Sequence, residues 1–277
     1  MKQAICLLAY KSFDYMQAFI DQFNNHPDIY FYIHWHSHSK EECLELKNRN
    51  ANIKYICNQY DTTRFSTDLI FAELHLYYVA AQDSDIGFCH LMSESDYIIC
   101  PPGFFVGVFN KAKDSNFITY ITSDFRVNAC RSKIWGKNYI AHKASQWKSL
   151  NIDTVHKLLQ CSEIADRLIG SFKKQAKNFF VFGAADEYII PTILINEISI
   201  YNNDLESNKR YINWIKCFDH PNLLTWSKYL DQSYYIKDDE VTSNLIVRKI
   251  DIFDQDCKNF VDYMKEKFNE RFINKYN

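Results

Sequence analysis

The chain has 277 residues, and its 32 Lys and Arg side chains nearly balance 34 Asp and Glu side chains, for a formal charge of −2. This balance argues against bulk electrostatic attraction to nucleic acid, which is not expected as a partner. No apolar stretch approaches the roughly 20 residues that cross a bilayer, and nine scattered cysteines without a Cys-x-x-Cys pair argue against a disulfide framework or zinc site. We expect a cytoplasmic protein.

The first part of the chain alternates short apolar runs, typical of buried strands, with segments of helical spacing. The strands are expected at 4–9, 29–33, 53–57 and 86–92, and the helices at 13–23, 41–46 and 67–81. This order predicts an α/β fold with a mostly parallel central sheet and helices on both faces. A Gly-x-Gly-x-x-Gly fingerprint and a Walker loop are both missing from the sequence.

The second part is less regular from 101 to 144, and further helices are expected at 152–172, 187–200 and 254–274. Repeats, low-complexity runs and linkers are not evident. We therefore expect one domain over 1–277, with a nucleotide-binding half at 1–100 and an acceptor-binding, catalytic half at 101–277.

An acidic pair, Asp186-Glu187, lies between the apolar run 179–182 and the apolar segment 189–200. If the run is a strand and the segment a helix, the pair lies at a strand-to-helix junction, where active sites of open α/β sheets gather. The helix N-terminus favours an ionised Glu187 that can act as a base. The alternative is that both residues only cap the helix.

Two acidic triplets raise the question of a metal site. Asp83 and Asp85 precede the fourth strand, where a solvated turn is the simpler interpretation. Glu94 and Asp96 follow that strand, and their carboxylates can bind either sugar hydroxyls or a cation. His34, His36 and His38 follow the second strand; alternation places them on one side of an extended chain, which suits a ligand-facing loop or a transition metal.

A basic pair, Arg248-Lys249, follows the strand-like run 245–247 and can neutralise a diphosphate without a metal; the alternative is a solvated pair. Trp214, on the strand-like segment 210–214, is either a sugar platform or a core residue. The segment 254–274 carries Phe260, Met264 and Phe268 at four-residue spacing. These pack onto the domain or, in the alternative, dock the helix on an anionic membrane.

Seven sequence blocks, in the same order, resemble the core-2/I-branching β-1,6-N-acetylglucosaminyltransferase family (glycosyltransferase family 14), which also holds peptide O-xylosyltransferases. The resemblance covers nearly the whole chain. The blocks are the opening strand and turn at 7–11, His26 to His34 ("HP…YIHVD"), 90–97 ("HLLSGQDYP"), 145–150 ("GSQWWSL"), 184–187 ("PADE"), 210–221 ("RYIDW…HP") and 247–251 ("FARKFD").

The resemblance implies a GT-A-like fold and an inverting, metal-independent transfer from a UDP-sugar, with no cofactor. It implies that Glu187 is the catalytic base and that Lys249 contacts the diphosphate. The residues that it places at the nucleotide are Tyr10, Lys11 and His36. The residues that it places at the acceptor are Glu94, Asp96, Trp147, Asp186 and Trp214.

The chain departs from the family pattern at several points. His36 stands where the family has Asp, Glu94 stands where it has Gly, and the "WGG-S" block is reduced to Arg64-Phe65-Ser66. The second phosphate-binding Arg of the family has no clear match, and Lys228 or Arg248 are the candidates to replace it. Arg64, Lys228 and Arg248 therefore join the expected donor-binding residues.

The sequence thus favours an inverting transferase that moves a sugar, N-acetylglucosamine before xylose, to a glycan or glycolipid in bacterial surface-polysaccharide synthesis, in the cytoplasm or at the inner face of the membrane. Three alternatives stay open. These are a non-catalytic nucleotide-sugar or glycan-binding protein descended from the family, a xylosyltransferase, and a metal-dependent transferase that uses Glu94 and Asp96.

Overall fold

The structure is a computed structural model that describes residues 1–63, 66–121, 131–175, 185–200, 209–213, 221–231 and 236–273. In the first part of the chain its elements are, in order, β1 (Lys2–Ala9), α1 (Phe13–Asp21), β2 (Ile29–Trp35), α2 (Lys40–Arg49), β3 (Ile53–Cys57), α3 (Asp68–Ala80), β4 (Ile86–Met92), β5 (Asp96–Ile98) and α4 (Pro102–Lys111).

The second part of the chain carries shorter strands and the remaining helices. In order they are β6 (Tyr120–Ile121), β7 (Arg131–Ile134), β8 (Lys137–Ile140), β9 (Lys143–Ala144), β10 (Ser149–Asn151), α5 (Ile152–Gln160), α6 (Ser162–Gln175), a 3₁₀ turn (Ala185–Glu187), α7 (Ile189–Asn196), β11 (Arg210–Ile212), α8 (Trp226–Leu230), α9 (Asp238–Thr242), β12 (Ile246–Arg248) and α10 (Gln255–Phe272).

The central sheet has five strands in the order β10-β4-β1-β2-β3. The pairs β1–β4 and β2–β3 are parallel, and the edge strand β10 runs antiparallel to its neighbour β4. Helices α3 and α5 pack against this sheet. This topology confirms the predicted α/β class with a mostly parallel central sheet. Buried strands without alternating polarity are typical of sheets that helices cover.

The predicted elements of the first part agree closely with the observed ones. Strands β3 and β4 have the predicted bounds, and β1, β2, α1, α2 and α3 differ from theirs by a few residues. The strand β1 is buried along nearly its whole length, which accounts for its continuous apolar sequence. Cys6 and Cys89 are fully buried, as expected of small core residues.

Of the three helices expected in the second part, two differ from their predicted form. The helix expected at 152–172 is two helices, α5 and α6, separated at Cys161. The helix expected to begin at Glu187 begins at Ile189 and ends at Asn196. The helix α10 is close to its prediction, because Asp254 accepts hydrogen bonds from the backbone N–H groups of Asp256 and Cys257 and so caps its N-terminus.

Contacts between residues divide the chain into two compact units. Unit 1 comprises 1–10, 30–92 and 112–208, and unit 2 comprises 11–29, 93–111 and 209–277. The expected division of one domain into halves at residue 100 stays a prediction. Unit 1 holds the central sheet and a large apolar core between this sheet, α3, α5, α6 and α7.

Unit 2 is built on a small three-stranded sheet in the order β11-β12-β5. Strand β12 is parallel to β11 and antiparallel to β5. Phe260, Met264 and Phe268 of α10 are buried. This burial confirms the packing interpretation for the apolar residues of that helix. In the described part of the chain, no helix combines the length and the hydropathy that a membrane crossing requires.

Candidate active site

The acidic pair lies on the 3₁₀ turn that leads into α7. The N-cap residue of α7 is Tyr188, which makes no side-chain cap hydrogen bond. Neither carboxylate therefore occupies the N-cap position, and the capping alternative does not account for the pair. The apolar run 179–182, expected as the strand before the turn, lies outside the described residues.

Glu187 is the more accessible member of the pair. Its side chain keeps 30% of its surface exposed, and its Oε2 lies 3.5 Å from the Nζ of Lys143 on β9. Burial raises the pKa of Glu187 above its usual range, and the ammonium groups of Lys143 and Lys148 oppose this shift. The net shift has the opposite sign to the one expected from the helix N-terminus alone, because loss of hydration outweighs the favourable charges.

Asp186 is only 4% exposed. Burial raises the pKa of Asp186 to about 7, and the neighbouring charges of Glu187 and Glu73 add to this effect while Lys148 opposes it. A carboxyl group with this pKa exchanges its proton near neutral pH. The turn therefore carries one accessible carboxylate and one buried carboxyl group beside it.

A buried ion pair lies behind the turn and was not foreseen from the sequence. Glu73 of α3 and Lys148, just before β10, are both fully buried, and 2.8 Å separates Oε1 from Nζ. The Nζ of Lys148 also donates to the carbonyl oxygen of Gln146. Burial raises the pKa of Glu73, and Lys148 opposes the shift. The helix α3 packs against the 3₁₀ turn, so this pair belongs to the surroundings of the two acids.

In unit 2, two predicted site residues bind each other. The Nη1 of Arg248 lies 2.9 Å from Oδ1 of Asp96 and donates to Oγ of Ser93 at 2.5 Å. The Oδ2 of Asp96 accepts from the backbone N–H of Ser93 at 2.8 Å. The side chain of Asp96 is fully buried and that of Arg248 is 12% exposed. Both carboxylate oxygens thus have protein partners, in an arrangement typical of a structural pair.

Glu94 and Lys11 also meet in unit 2. The backbone N–H of Lys11 donates to Oε1 of Glu94 at 3.1 Å, and Glu94 is 3% exposed. The Nζ of Lys11 lies 4.0 Å from the ring centroid of Tyr15, whose hydroxyl donates to Asp251. The carboxylate of Glu94 is therefore buried and holds the backbone of Lys11.

Lys249 follows β12 and is half-buried. Its carbonyl oxygen accepts from the backbone N–H of Leu224. Lys228 lies in α8, and its Nζ donates to the carbonyl oxygen of Leu223 at 3.2 Å. Both lysines, like Arg248, belong to unit 2, whereas Tyr10, His36, Trp147 and the acidic pair belong to unit 1.

The three histidines are not all on an extended chain, because His34 lies on β2 while His36 and His38 follow the end of that strand. His34 is fully buried, and its Nε2 accepts from the backbone N–H of Tyr60. His36 lies 3.8 Å from Asp61, and His38 stacks on Trp35. The strand ends at Trp35, so alternation does not extend through the segment. The expectation of three histidines on one side of an extended chain is wrong.

The remaining predicted residues are scattered or undescribed. Tyr10 follows β1 and has 60% of its surface exposed. Trp147 is partly buried, and its backbone N–H donates to Oγ of Ser145. Arg64 and Trp214 lie outside the described residues. Among the side chains that the structure does describe, no group of three or more His, Cys, Asp or Glu is placed to hold a metal ion.

Three comparisons place the chain among known proteins. Galactosyltransferase LgtC, in complex with donor and acceptor sugar analogs, has 11% identity and a TM-score of 0.47 over 98% of this chain and 96% of its own. The apo-form glycosyltransferase GlyE of Streptococcus pneumoniae has 10% identity and a TM-score of 0.45 over 99% and 64%. These likenesses are too weak to assign a function.

A search of curated protein sequences gives no match. The sequence model of the Core-2/I-Branching enzyme family matches residues 6–234, which is most of the chain. The order of the seven blocks and the α/β fold agree with this match. The chain therefore belongs to the Core-2/I-branching enzyme family and is a glycosyltransferase.

Proposed function

We propose that this glycosyltransferase moves N-acetylglucosamine from its UDP-linked donor to a hydroxyl group of a glycan or glycolipid, with inversion at the anomeric carbon and without a metal ion. Glu187 is the base that removes the proton of the acceptor hydroxyl. The resulting oxygen nucleophile attacks the anomeric carbon, and UDP leaves on the opposite side. Lys249 stabilises the negative charge that develops on the diphosphate.

The observation that carries the proposal is that Glu187, just before α7, is accessible and has a raised pKa. A base must be reachable by the acceptor, and this side chain is 30% exposed. A general base also works best when its pKa lies near the working pH. Burial raises the pKa of Glu187 toward that range. Asp186 beside it is buried, so Glu187 is the member of the pair that an acceptor can reach.

The contacts in unit 2 argue against the metal-dependent alternative. A divalent cation needs carboxylate oxygens with free lone pairs directed at it. Instead, Oδ1 of Asp96 pairs with Arg248, and Oδ2 accepts from the backbone N–H of Ser93. Lys249, a fixed cation after β12, is our candidate for the neutralising charge. UDP-xylose stays the second donor candidate, since the family also holds xylosyltransferases.

The proposal is tested by binding and slow hydrolysis of four donors in the presence of EDTA: UDP-N-acetylglucosamine, UDP-xylose, UDP-galactose and UDP-glucose. We expect UDP release from the first, at least tenfold slower in Lys249→Ala. UDP release from UDP-xylose alone would identify UDP-xylose as the donor instead. Activity that is lost in EDTA and restored by Mg²⁺ or Mn²⁺ would overturn metal independence. Donor binding without turnover on any acceptor would favour the non-catalytic alternative.

A further inference from the structure

The ion pair between Glu73 and Lys148 is a group of buried charges in unit 1 that the proposed reaction leaves unused. Both side chains have no exposed surface, and the pair is held at 2.8 Å. Lys148 is also fixed through its backbone, since its carbonyl oxygen accepts from the N–H of Leu91 on β4. Two charges taken out of water cost several kcal/mol of hydration each, and a well-packed apolar pair is often as stable. Stability alone is therefore a weak reason for such a pair.

The position of the pair points to a role. Glu73 lies on α3, which packs against the 3₁₀ turn, and the charge of Lys148 acts on both acids of that turn. Lys143 meets Glu187 from β9. The other titratable groups beside Glu73 are the buried hydroxyl of Tyr77, one turn further along α3, and the buried thiol of Cys6 on β1. Inside a protein, where little water screens charges, a neighbouring charge acts strongly on a carboxyl group.

We propose that the buried Glu73–Lys148 pair is a positioning element of the transfer reaction, which holds the 3₁₀ turn against α3 and sets the charge of the Asp186 and Glu187 carboxyl groups from the interior. This inference rests on the proposed function, in which Glu187 is the base. Neither Glu73 nor Lys148 touches substrate in this role.

The two members of the pair act on the acids with opposite sign. Lys148 favours the ionised form of both Asp186 and Glu187, and its ammonium group opposes the rise of their pKa values. Glu73 acts against Lys148 at Asp186, where the lysine has the larger influence on the pKa. Removing Lys148 should therefore raise the pKa values of both acids, and removing Glu73 should lower the pKa of Asp186. A purely structural pair would do neither.

The test uses the full-length protein and three variants, Lys148→Met, Glu73→Gln and the double variant. The rate of transfer, as kcat/KM, is measured from pH 5 to pH 9. We expect the acid limb of the profile to move to higher pH by about one unit in Lys148→Met. The shift in Glu73→Gln should be much smaller, because the charge of Glu73 acts on Asp186 rather than on Glu187. The double variant should lie between the wild type and Lys148→Met, since the lysine has the larger influence on Asp186.

Lys137→Met is the matched control, because it breaks another Lys–Glu pair of unit 1, with Glu197 at 2.8 Å. Its acid limb should stay at the wild-type pH. A fall in rate at all pH values without a shift of the limb in Lys148→Met or in the double variant would overturn the proposal. If a single variant does not fold, the double variant decides, because it leaves no unpaired buried charge.

A second readout separates this inference from the proposed function. Carbon-13 NMR titration of the side-chain carboxyl groups follows Asp186 and Glu187 without any turnover. Shifted titration midpoints in Lys148→Met, together with an inactive wild type, would keep the electrostatic link and refute the reaction. Unchanged midpoints in an active enzyme would refute the link and keep the reaction.

Discussion

The two units treat buried carboxylates in different ways. In unit 2, Asp96 meets Arg248 and Ser93, and both of its oxygens have matched partners. In unit 1, three acids, Glu73, Asp186 and Glu187, share two lysines, and burial raises the pKa of each acid. We call these three acids with Lys143 and Lys148 the acid cluster.

The difference shows how to separate a structural ion pair from a reactive one. A buried carboxylate with a full set of hydrogen bonds to its charged form has little reason to bind a proton. A buried carboxyl group with too few compensating charges takes up and releases protons near neutral pH, which is what a proton-transfer site needs. Asp186 in the acid cluster fits the second description, with a pKa of about 7. In the Asp96–Arg248 pair, both carboxylate oxygens have protein partners.

The largest effect is expected from Glu187→Gln, which keeps the shape of the side chain but removes the base. Transfer should fall by a factor of about 10² to 10⁴, with the affinity for the UDP-sugar retained. Steady-state rates and calorimetric donor binding check this. Glu45→Gln, an exposed acid on α2, is the control and should keep the wild-type rate. A Glu187→Gln enzyme with normal turnover would remove Glu187 from the role of base.

The Asp96–Arg248 pair is expected to matter for stability. Arg248→Met leaves the fully buried Asp96 carboxylate without its cation, which should lower the free energy of unfolding by about 3–5 kcal/mol. Urea denaturation measures the loss. Adding Asp96→Asn should restore part of it, since an amide carries no charge. A stable Arg248→Met protein with weakened donor binding would instead make Arg248 a donor contact, and would place a ligand-binding residue in unit 2.

Asp186→Asn is expected to change how stability depends on pH. The folded pKa of Asp186 is about 7, against 3.8 in the unfolded chain. Folding therefore favours the protonated form, and its contribution to stability is present below pH 3.8 and lost as the pH rises toward 7. The wild type should lose up to about 1.4 kcal/mol per pH unit in that window relative to the variant. Parallel curves of unfolding free energy against pH would contradict this.

The smallest effect is expected from Arg49→Ala, which breaks the exposed ion pair with Glu45 on α2. Exposed pairs gain little because water screens both charges. The urea midpoint should stay within the measurement error of the wild type. A clear loss of stability here would mean that the contrast between buried and exposed pairs does not hold in this protein.

Local sequence was enough for most of the central sheet. The runs that became β1 and β4 are short, apolar and buried along nearly their whole length, which favours a strand. The acidic pair was also visible, because its two neighbours in the chain are apolar segments. The break at Cys161 was missed, since the apolar spacing of 152–172 is compatible with one continuous helix.

Partners far apart in the chain could not be predicted. In the sequence, Glu73 is a single acid within a largely apolar helical segment. Lys148 replaces the second Trp of the block "GSQWWSL". An isolated charge among apolar residues at each position was the only signal of the pair. Arg248 was assigned to a diphosphate, but its partner Asp96 lies 152 residues away. Its own segment, β12, shows a basic pair and no sign of that partner.

The sequence by itself thus determined the family, the α/β class and the place of Glu187, because each depends on residues that are neighbours in the chain. Only the tertiary structure decided which charges are buried and which cation faces which acid. The pKa of a carboxyl group depends on its loss of hydration and on charges within a few ångströms. In this protein those charges come from α3, β9 and the segment before β10, and folding brings them to one turn.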